Sequence, residues 1–155
     1  MKDWSKKRYW IVGASEGLGL ALAQKMSEAG ASLILTARNE ARLKEIASTL
    51  PNEVEVLPLD ITDLNAVRKS VKKLENVDGF VFLAGAYWPM PAQHWDIEKL
   101  TAMIDVNLIG ALHTLDVILP IFMEKNTGHL VFTGSLAGYR GLPGALGYGS
   151  SKAAI

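Results

Sequence analysis

The chain has 155 residues, 49% of them hydrophobic and 21% charged, with 16 basic residues set against 16 acidic ones and no cysteine. That is one domain's worth of chain, able to bury about 70% of its unfolded surface, and too apolar for a disordered segment. A formal net charge of zero offers nucleic acid or anionic membrane no steering field, and the lack of cysteine excludes a disulfide framework and fits a reducing, cytoplasmic setting.

The opening MKDWSKKRYW is basic but has no apolar stretch behind it, so no signal peptide is read there. Residues 1–7 are expected to form a solvated, flexible arm ahead of a domain over residues 8–155. No uninterrupted run approaches the roughly 18 apolar residues of a membrane span, so none is expected. A short apolar strand over 8–12 runs into Gly13-Ala14-Ser15-Glu16-Gly17-Leu18-Gly19. A helical pattern follows over 18–29, closed by Gly30 in the position that ends helices. A second apolar strand over 32–37 leads to a helix over 39–50 stopped by Pro51. A third strand over 54–59 precedes a helix reaching about residue 74, with Asp63 or Thr62 as its cap. A fourth strand over 79–83, a loop over 84–96 and a long apolar helix over about 97–123 come next. The fifth strand covers 129–135, a glycine-rich loop covers 136–147, and a last helix opens at Tyr148.

Five strand–helix alternations with strands apolar on both faces predict an α/β fold, a Rossmann-like doubly wound parallel sheet with helices on both faces. Right-handed crossovers favour the strand order 3-2-1-4-5.

Glycines at 13, 17 and 19 sit between a strand and a helix, where a backbone can approach a pyrophosphate and the helix end supplies free N–H groups. A glycine-rich turn that only joins the two elements would look similar, because glycine triplets are a weak signal. At the end of the second strand the chain reads Thr36-Ala37-Arg38-Asn39. A carboxylate there would bond a ribose 2′-OH, whereas Arg38 suits a 2′-phosphate, which favours NADP over NAD; a solvated helix-start arginine is the plainer alternative. Near the chain's end, Tyr148 and Lys152 are four residues apart, a spacing that puts both on one helix face. A cation beside a phenol favours the phenolate, which suits such a pair to acid–base chemistry near neutrality. His94, His113 and His129 stand apart without ligand spacing, so no metal site is expected.

Taken together these residues resemble the short-chain dehydrogenase/reductase family from Arg8 onward: Gly13, Gly17 and Gly19; Asp60-Ile61 after the third strand; Ala84-Gly85 after the fourth; Asn107 in DVNLIG; then Ser135, Tyr148 and Lys152. The resemblance implies an NAD(P)-dependent oxidoreductase interconverting a carbonyl and an alcohol. Tyr148 would then be the general acid/base, with Lys152 depressing the phenol's pKa and bonding the nicotinamide ribose. Ser135 would hold the substrate oxygen, and Asn107 would shape its helix and bind a water in a proton relay, unless its amide is simply satisfied within its own helix. The cofactor would lie on Gly13, Ser15, Glu16, Gly17, Leu18 and Gly19, on Arg38, on Ala84 and Gly85, and on Tyr148 and Lys152. Asp60 would meet the adenine amino group, with support from Ile61, although an N-cap role is equally sensible chemically for Asp60. Glu16 counts against NADP, because family members preferring it often carry a base near that point. Val12 and Leu83 replace the family's threonine and asparagine, with altered loop rigidity as the expected result.

The family runs to about 250 residues, a common single-domain size for α/β chains, so a fragment lacking the C-terminal strands is expected, with a hydrophobic edge on the fifth strand. The long helix and the Tyr148 helix would form a homodimer or homotetramer interface in the full-length form. A catalytically silent dinucleotide-binding module or inactive fragment is the alternative function. A nucleotide-sugar epimerase-like relative is a third reading, opposed by the tight glycine spacing.

Overall fold

The computed structural model describes residues 4–155. Five parallel strands, β1 (Arg8–Val12), β2 (Ser32–Thr36), β3 (Val54–Val56), β4 (Gly79–Phe82) and β5 (His129–Phe132), lie in the order β3-β2-β1-β4-β5. This is the expected doubly wound topology. Alternate side chains of β1 divide between two cores. Tyr9 and Ile11 pack with Leu33, Leu35 and Val81 under helices α1 (Gly17–Glu28) and α2 (Glu40–Thr49). Trp10 and Val12 pack with Ile34, Phe80 and Phe82 under α3 (Leu64–Lys69) and α5 (Gly110–Glu124). Both faces being covered explains why the strands read as apolar throughout.

Local chemistry sets most boundaries. Asn39 caps α2 by accepting from the Arg42 N–H at 3.0 Å, and Gly30, at φ +99°, follows α1 as its C′ residue. Asp63, rather than Thr62, caps α3 through the Ala66 N–H at 3.1 Å. That helix stops at Lys69 instead of continuing to residue 74, and the chain tightens into a 3₁₀ turn over Val71–Lys73. Ser70 marks the change, its hydroxyl donating back to the Val67 carbonyl at 2.7 Å, a local bond that competes with helix continuation. Strand β5 ends at Phe132, three residues short of expectation, because Ser135 turns to cap a 3₁₀ turn over Leu136–Gly138.

The long helical region is continuous but not uniform: α4 (Ile97–Ile104), a π turn over Asp105–Ile109, then α5. The stretch Ile97–Glu124 has 28 residues and a mean hydropathy of 1.7 in its most apolar window, so one helix does have the length and apolarity of a membrane span. Counting uninterrupted apolar runs missed it because a few polar residues break the runs without lowering the average much. Its Ala111, Val117, Ile118 and Phe122 pack into the sheet's core. The last helix, α6 (Leu146–Ala154), opens two residues before Tyr148 and packs on α4.

Of the expected N-terminal arm the structure describes residues 4–7, while Met1–Asp3 lie outside the described residues. Trp4 packs against the core, its ring 5.4 Å from that of Tyr9, and the Lys7 ammonium pairs with Asp78 at 3.0 Å. An indole this close to an apolar core has more to gain from burial than from water.

Candidate functional site

The loops leaving the carboxyl ends of β1, β2, β3 and β4 surround a cleft of about 840 Å³. It lies where the strand order reverses between β1 and β4, the position at which open α/β sheets bind ligands. Gly13, Ser15, Glu16, Gly17, Leu18 and Gly19 line it, together with Arg38, Asp60, Ile61, Ala84 and Gly85. Residues spread across 73 positions of sequence therefore share one concavity.

Close packing accounts for two of the glycines. A Cβ on Gly13 would lie 2.4 Å from the Ala84 nitrogen, and one on Gly19 would lie 2.0 Å from the Gly13 carbonyl oxygen. Gly17 differs: at φ +53° it faces open space, with nothing within 4 Å of the position of a Cβ. Glu16, the residue before α1, makes no side-chain capping bond, so the N–H groups of the first turn stay available to an anion. The loop is tied to β2 through the backbone: the Thr36 carbonyl accepts from both the Gly13 N–H (2.9 Å) and the Ala14 N–H (3.1 Å).

At the far end, Asp60 is not a helix cap. Its Oδ1 accepts from the Thr62 N–H at 2.9 Å and the Thr62 hydroxyl at 2.8 Å, an Asx turn that leaves Oδ2 to accept elsewhere. Those two bonds, with the Arg38 charge adding to them, hold the Asp60 carboxyl below its ordinary value. Ile61 is fixed from behind. His113 Nδ1 is 2.9 Å from the Ile61 carbonyl oxygen, and Gly110 lets α5 approach so closely that a Cβ there would lie 2.7 Å from Ile61 Cδ1. His113, Gly110 and Thr62 are contributors that sequence reasoning missed. Only Asp60-x-Thr62 carried a local signal, the Asx-turn pattern.

The second group gathers around α6. Tyr148 and Lys152 share a face, the Lys152 ammonium 5.8 Å from the Tyr148 ring centre. Lys152 is only 8% exposed, burial lowers its pKa, and it donates to the Thr133 carbonyl at 2.9 Å. Neither residue lines the large cleft itself. Tyr87 does, and its ring lies 4.8 Å from that of Tyr148 at 52°, so an aromatic contact joins the two groups. Asn107 sits fully buried in the π turn. Its amide is satisfied outside its own helix: Oδ1 accepts from the Ala86 N–H at 2.7 Å, while Nδ2 donates to the Ala86 carbonyl and the Ser151 hydroxyl, both at 3.0 Å. Both amide hydrogens being used, the side chain has no donor left for a water. Ser135 Oγ accepts from the Ala137 N–H at 3.2 Å, which leaves its own hydrogen free to donate.

A smaller cleft, about 460 Å³, lies between the segment after β4 and the β5–α6 loop, with Met90, Trp95, Tyr139 and Leu142 in its wall. Among the described residues, no cluster of three or more His, Asp or Glu could hold a metal; His129 instead bonds the Tyr9 hydroxyl at 2.9 Å.

A doubly wound parallel sheet with a glycine-lined cleft at its switch point defines a Rossmann-like domain. The chain belongs to the short chain dehydrogenase family, whose model matches residues 7–155. It is 39% identical over 153 residues to sulfoacetaldehyde reductase 2 of Chromohalobacter salexigens, covering 94% of this chain and 61% of that protein. An uncharacterized oxidoreductase of Staphylococcus epidermidis is 35% identical over 149 residues, covering 94% of this chain and 65% of that protein. The crystal structure of serine dehydrogenase from Escherichia coli superposes with a TM-score of 0.89 at 28% identity, covering 94% of this chain and 70% of that one. The chain thus spans a little under two thirds of the length of the curated relatives it matches. The family is one of oxidoreductases that use a nicotinamide dinucleotide.

Proposed function

We propose that this chain carries the cofactor cleft and proton-transfer group of an NAD(P)-dependent oxidoreductase that interconverts a carbonyl and an alcohol. The observation that supports this most is that the glycine loop, Arg38, Asp60 and Ala84-Gly85 line one cleft, with the Tyr148 ring in tilted contact with that cleft's Tyr87. The residues fit a dinucleotide: an open glycine, an uncapped helix start and a carboxylate with a free oxygen face one space. When bound, the nicotinamide supplies or takes up the hydride.

Every other step falls to the chain. Gly17, Leu18 and Gly19 offer N–H groups to the pyrophosphate, with Ser15 and Glu16 beside them. Asp60 accepts from the adenine amino group, next to the Ile61 backbone. Arg38, the one cation lining the cleft among the described residues, pairs with a 2′-phosphate, and NADP is the preferred cofactor on that ground. Glu16, Asp60 and Asp105 put three carboxylates in the same lining, so Arg38 carries the preference alone. In reduction Tyr148 gives its phenolic proton to the carbonyl oxygen, and in oxidation it takes the proton of the alcohol. Lys152, with two N–H groups not engaged by Thr133, holds the ribose. Ser135 donates its free hydroxyl hydrogen to the substrate oxygen. The reductase and dehydrogenase names of the relatives point to a short, polar carbonyl or alcohol, admitted past Tyr87 and Trp88. Leu112, Leu119 and Met123, exposed on α5, suit an interface with a second copy.

Fluorescence titration with NADPH, followed by NADPH oxidation in the presence of short aldehydes and ketones, tests the reading. Turnover should fall at least about a hundredfold in Tyr148→Phe with cofactor affinity retained, the scale expected for loss of a positioned proton donor. Binding without turnover, unchanged by Tyr148→Phe, would instead support a catalytically silent dinucleotide-binding module.

A further inference from the structure

Ser151 is fully buried at the heart of the contact between α6, the π turn and the loop after β4. Its hydroxyl donates to the Tyr148 carbonyl at 2.8 Å, three residues back. That bond alone would satisfy a buried serine in a helix, and it is common. The second bond is not local. Asn107 Nδ2, 44 positions away in sequence, donates to the same oxygen at 3.0 Å. Because the hydroxyl hydrogen is committed to Tyr148, its lone pair must face Asn107, and both directions are fixed.

Asn107 is committed in the same way. With Oδ1 on the Ala86 N–H and Nδ2 on the Ala86 carbonyl, it grips one peptide of the loop that lines the cofactor cleft, and no rotation of the amide preserves these bonds. The next residue, Tyr87, sets its ring at a tilt against the Tyr148 ring. A closed circuit results: Tyr148 carbonyl, Ser151 hydroxyl, Asn107 amide, Ala86 peptide, Tyr87 ring, Tyr148 ring. Tyr148 is held by its backbone and by its ring, and both holds trace back to Asn107 in the buried π turn.

We infer that Ser151 is a positioning residue: its hydroxyl fastens the first turn of α6 to Asn107, so that Tyr148 keeps its place relative to the cofactor loop. This rests on the proton-transfer role proposed for Tyr148. Losing the hydroxyl leaves Asn107 one hydrogen without a partner in a dry site and frees the turn that carries Tyr148, and small misplacements of a reacting group are expensive in rate.

The test compares the parent chain with Ser151→Ala, Ser151→Thr, Asn107→Ala, the Ser151→Ala/Asn107→Ala double variant and the Tyr148→Phe control, using NADPH and short aldehydes. Ser151→Ala should lower kcat by roughly tenfold while KM and the NADPH dissociation constant stay within about twofold. The pH midpoint of kcat should move by at least about half a pH unit, because acid–base catalysis depends on the geometry around the proton donor. Ser151→Thr, which keeps the hydroxyl, should restore the midpoint even where its methyl group lowers the melting temperature. The double variant should lose clearly less than the product of the two single losses, as members of one circuit do. A drop in melting temperature with an unchanged kcat midpoint, or independent losses in the double variant, would overturn the inference. Turnover unaffected by Tyr148→Phe would remove the underlying reading and this one with it, so the two failures are told apart by that control.

Discussion

Lys152 shows how a buried cation weighs on both stability and chemistry. Burial lowers its pKa from the ordinary 10.5, so between the lowered value and 10.5 the unfolded chain binds more protons than the folded one. Stability therefore rises with pH across that window, and the cost of burying the charge is complete below it. Urea unfolding of the parent and Lys152→Met checks this. The parent's free energy of unfolding should gain on that of the variant as pH climbs toward 10.5; a flat or falling difference would contradict the assignment. Arg38 belongs to the same scale. Arg38→Ala should weaken NADPH binding by roughly tenfold, the weight of one charge-assisted contact, and leave NADH binding nearly unchanged. Tighter binding of NADH than NADPH by the parent would sink the preference for NADP.

At the scale of elements, the Asp60 end of the cleft depends on how closely α5 approaches the turn after β3. Gly110 permits the approach and His113, one turn later, bonds the Ile61 carbonyl. Two effects compete in Gly110→Ala. Helix propensity favours alanine by up to about 1 kcal/mol, whereas a Cβ placed 2.7 Å from Ile61 Cδ1 forces repacking that typically costs about 1–3 kcal/mol. The clash should win, giving a net loss of about 1 kcal/mol in urea unfolding together with weaker NADPH binding. A stabilised variant with unchanged affinity would show that the turn has room to spare. The π turn is a second element-level device. It keeps Asn107 turned toward Ala86 and Ser151 inside an otherwise unbroken helix, and such single π turns often mark functional positions.

Across the whole molecule the sheet is unevenly protected. β3 and β2 lie beneath α1 and α2, but β5 pairs only with β4 among the described residues, and Leu130 is 38% exposed. Leu130→Lys should change the unfolding free energy by less than about 0.5 kcal/mol in urea unfolding, because the position is already exposed. The amino ends of the strands are tied together: the Trp4 and Tyr9 rings meet at a tilt, Lys7 pairs with Asp78, and Tyr9 bonds His129. This tie between the first strand and the last stands at one end of the sheet, with the clefts at the other.

The alternation of apolar strands and amphipathic helices, a cap at Asp63 or Thr62, the glycine at position 30 and the sheet order were all legible in the sequence. Each depends on periodicity, local side chain–backbone bonds or the handedness of crossovers. The cleft was legible as a set of motifs because strand ends in a doubly wound sheet must converge at the switch point. What tertiary structure decided is how residues distant in the chain satisfy one another. Asn107 has its partners on Ala86 and Ser151 rather than within its helix, Ser135 leaves the strand to cap a turn, and Trp4 joins the core instead of the solvent. Nothing local encodes such choices: a buried amide, hydroxyl or indole takes whichever partner the packed fold brings within hydrogen-bond or van der Waals distance, and only the assembled sheet and helices fix which one that is.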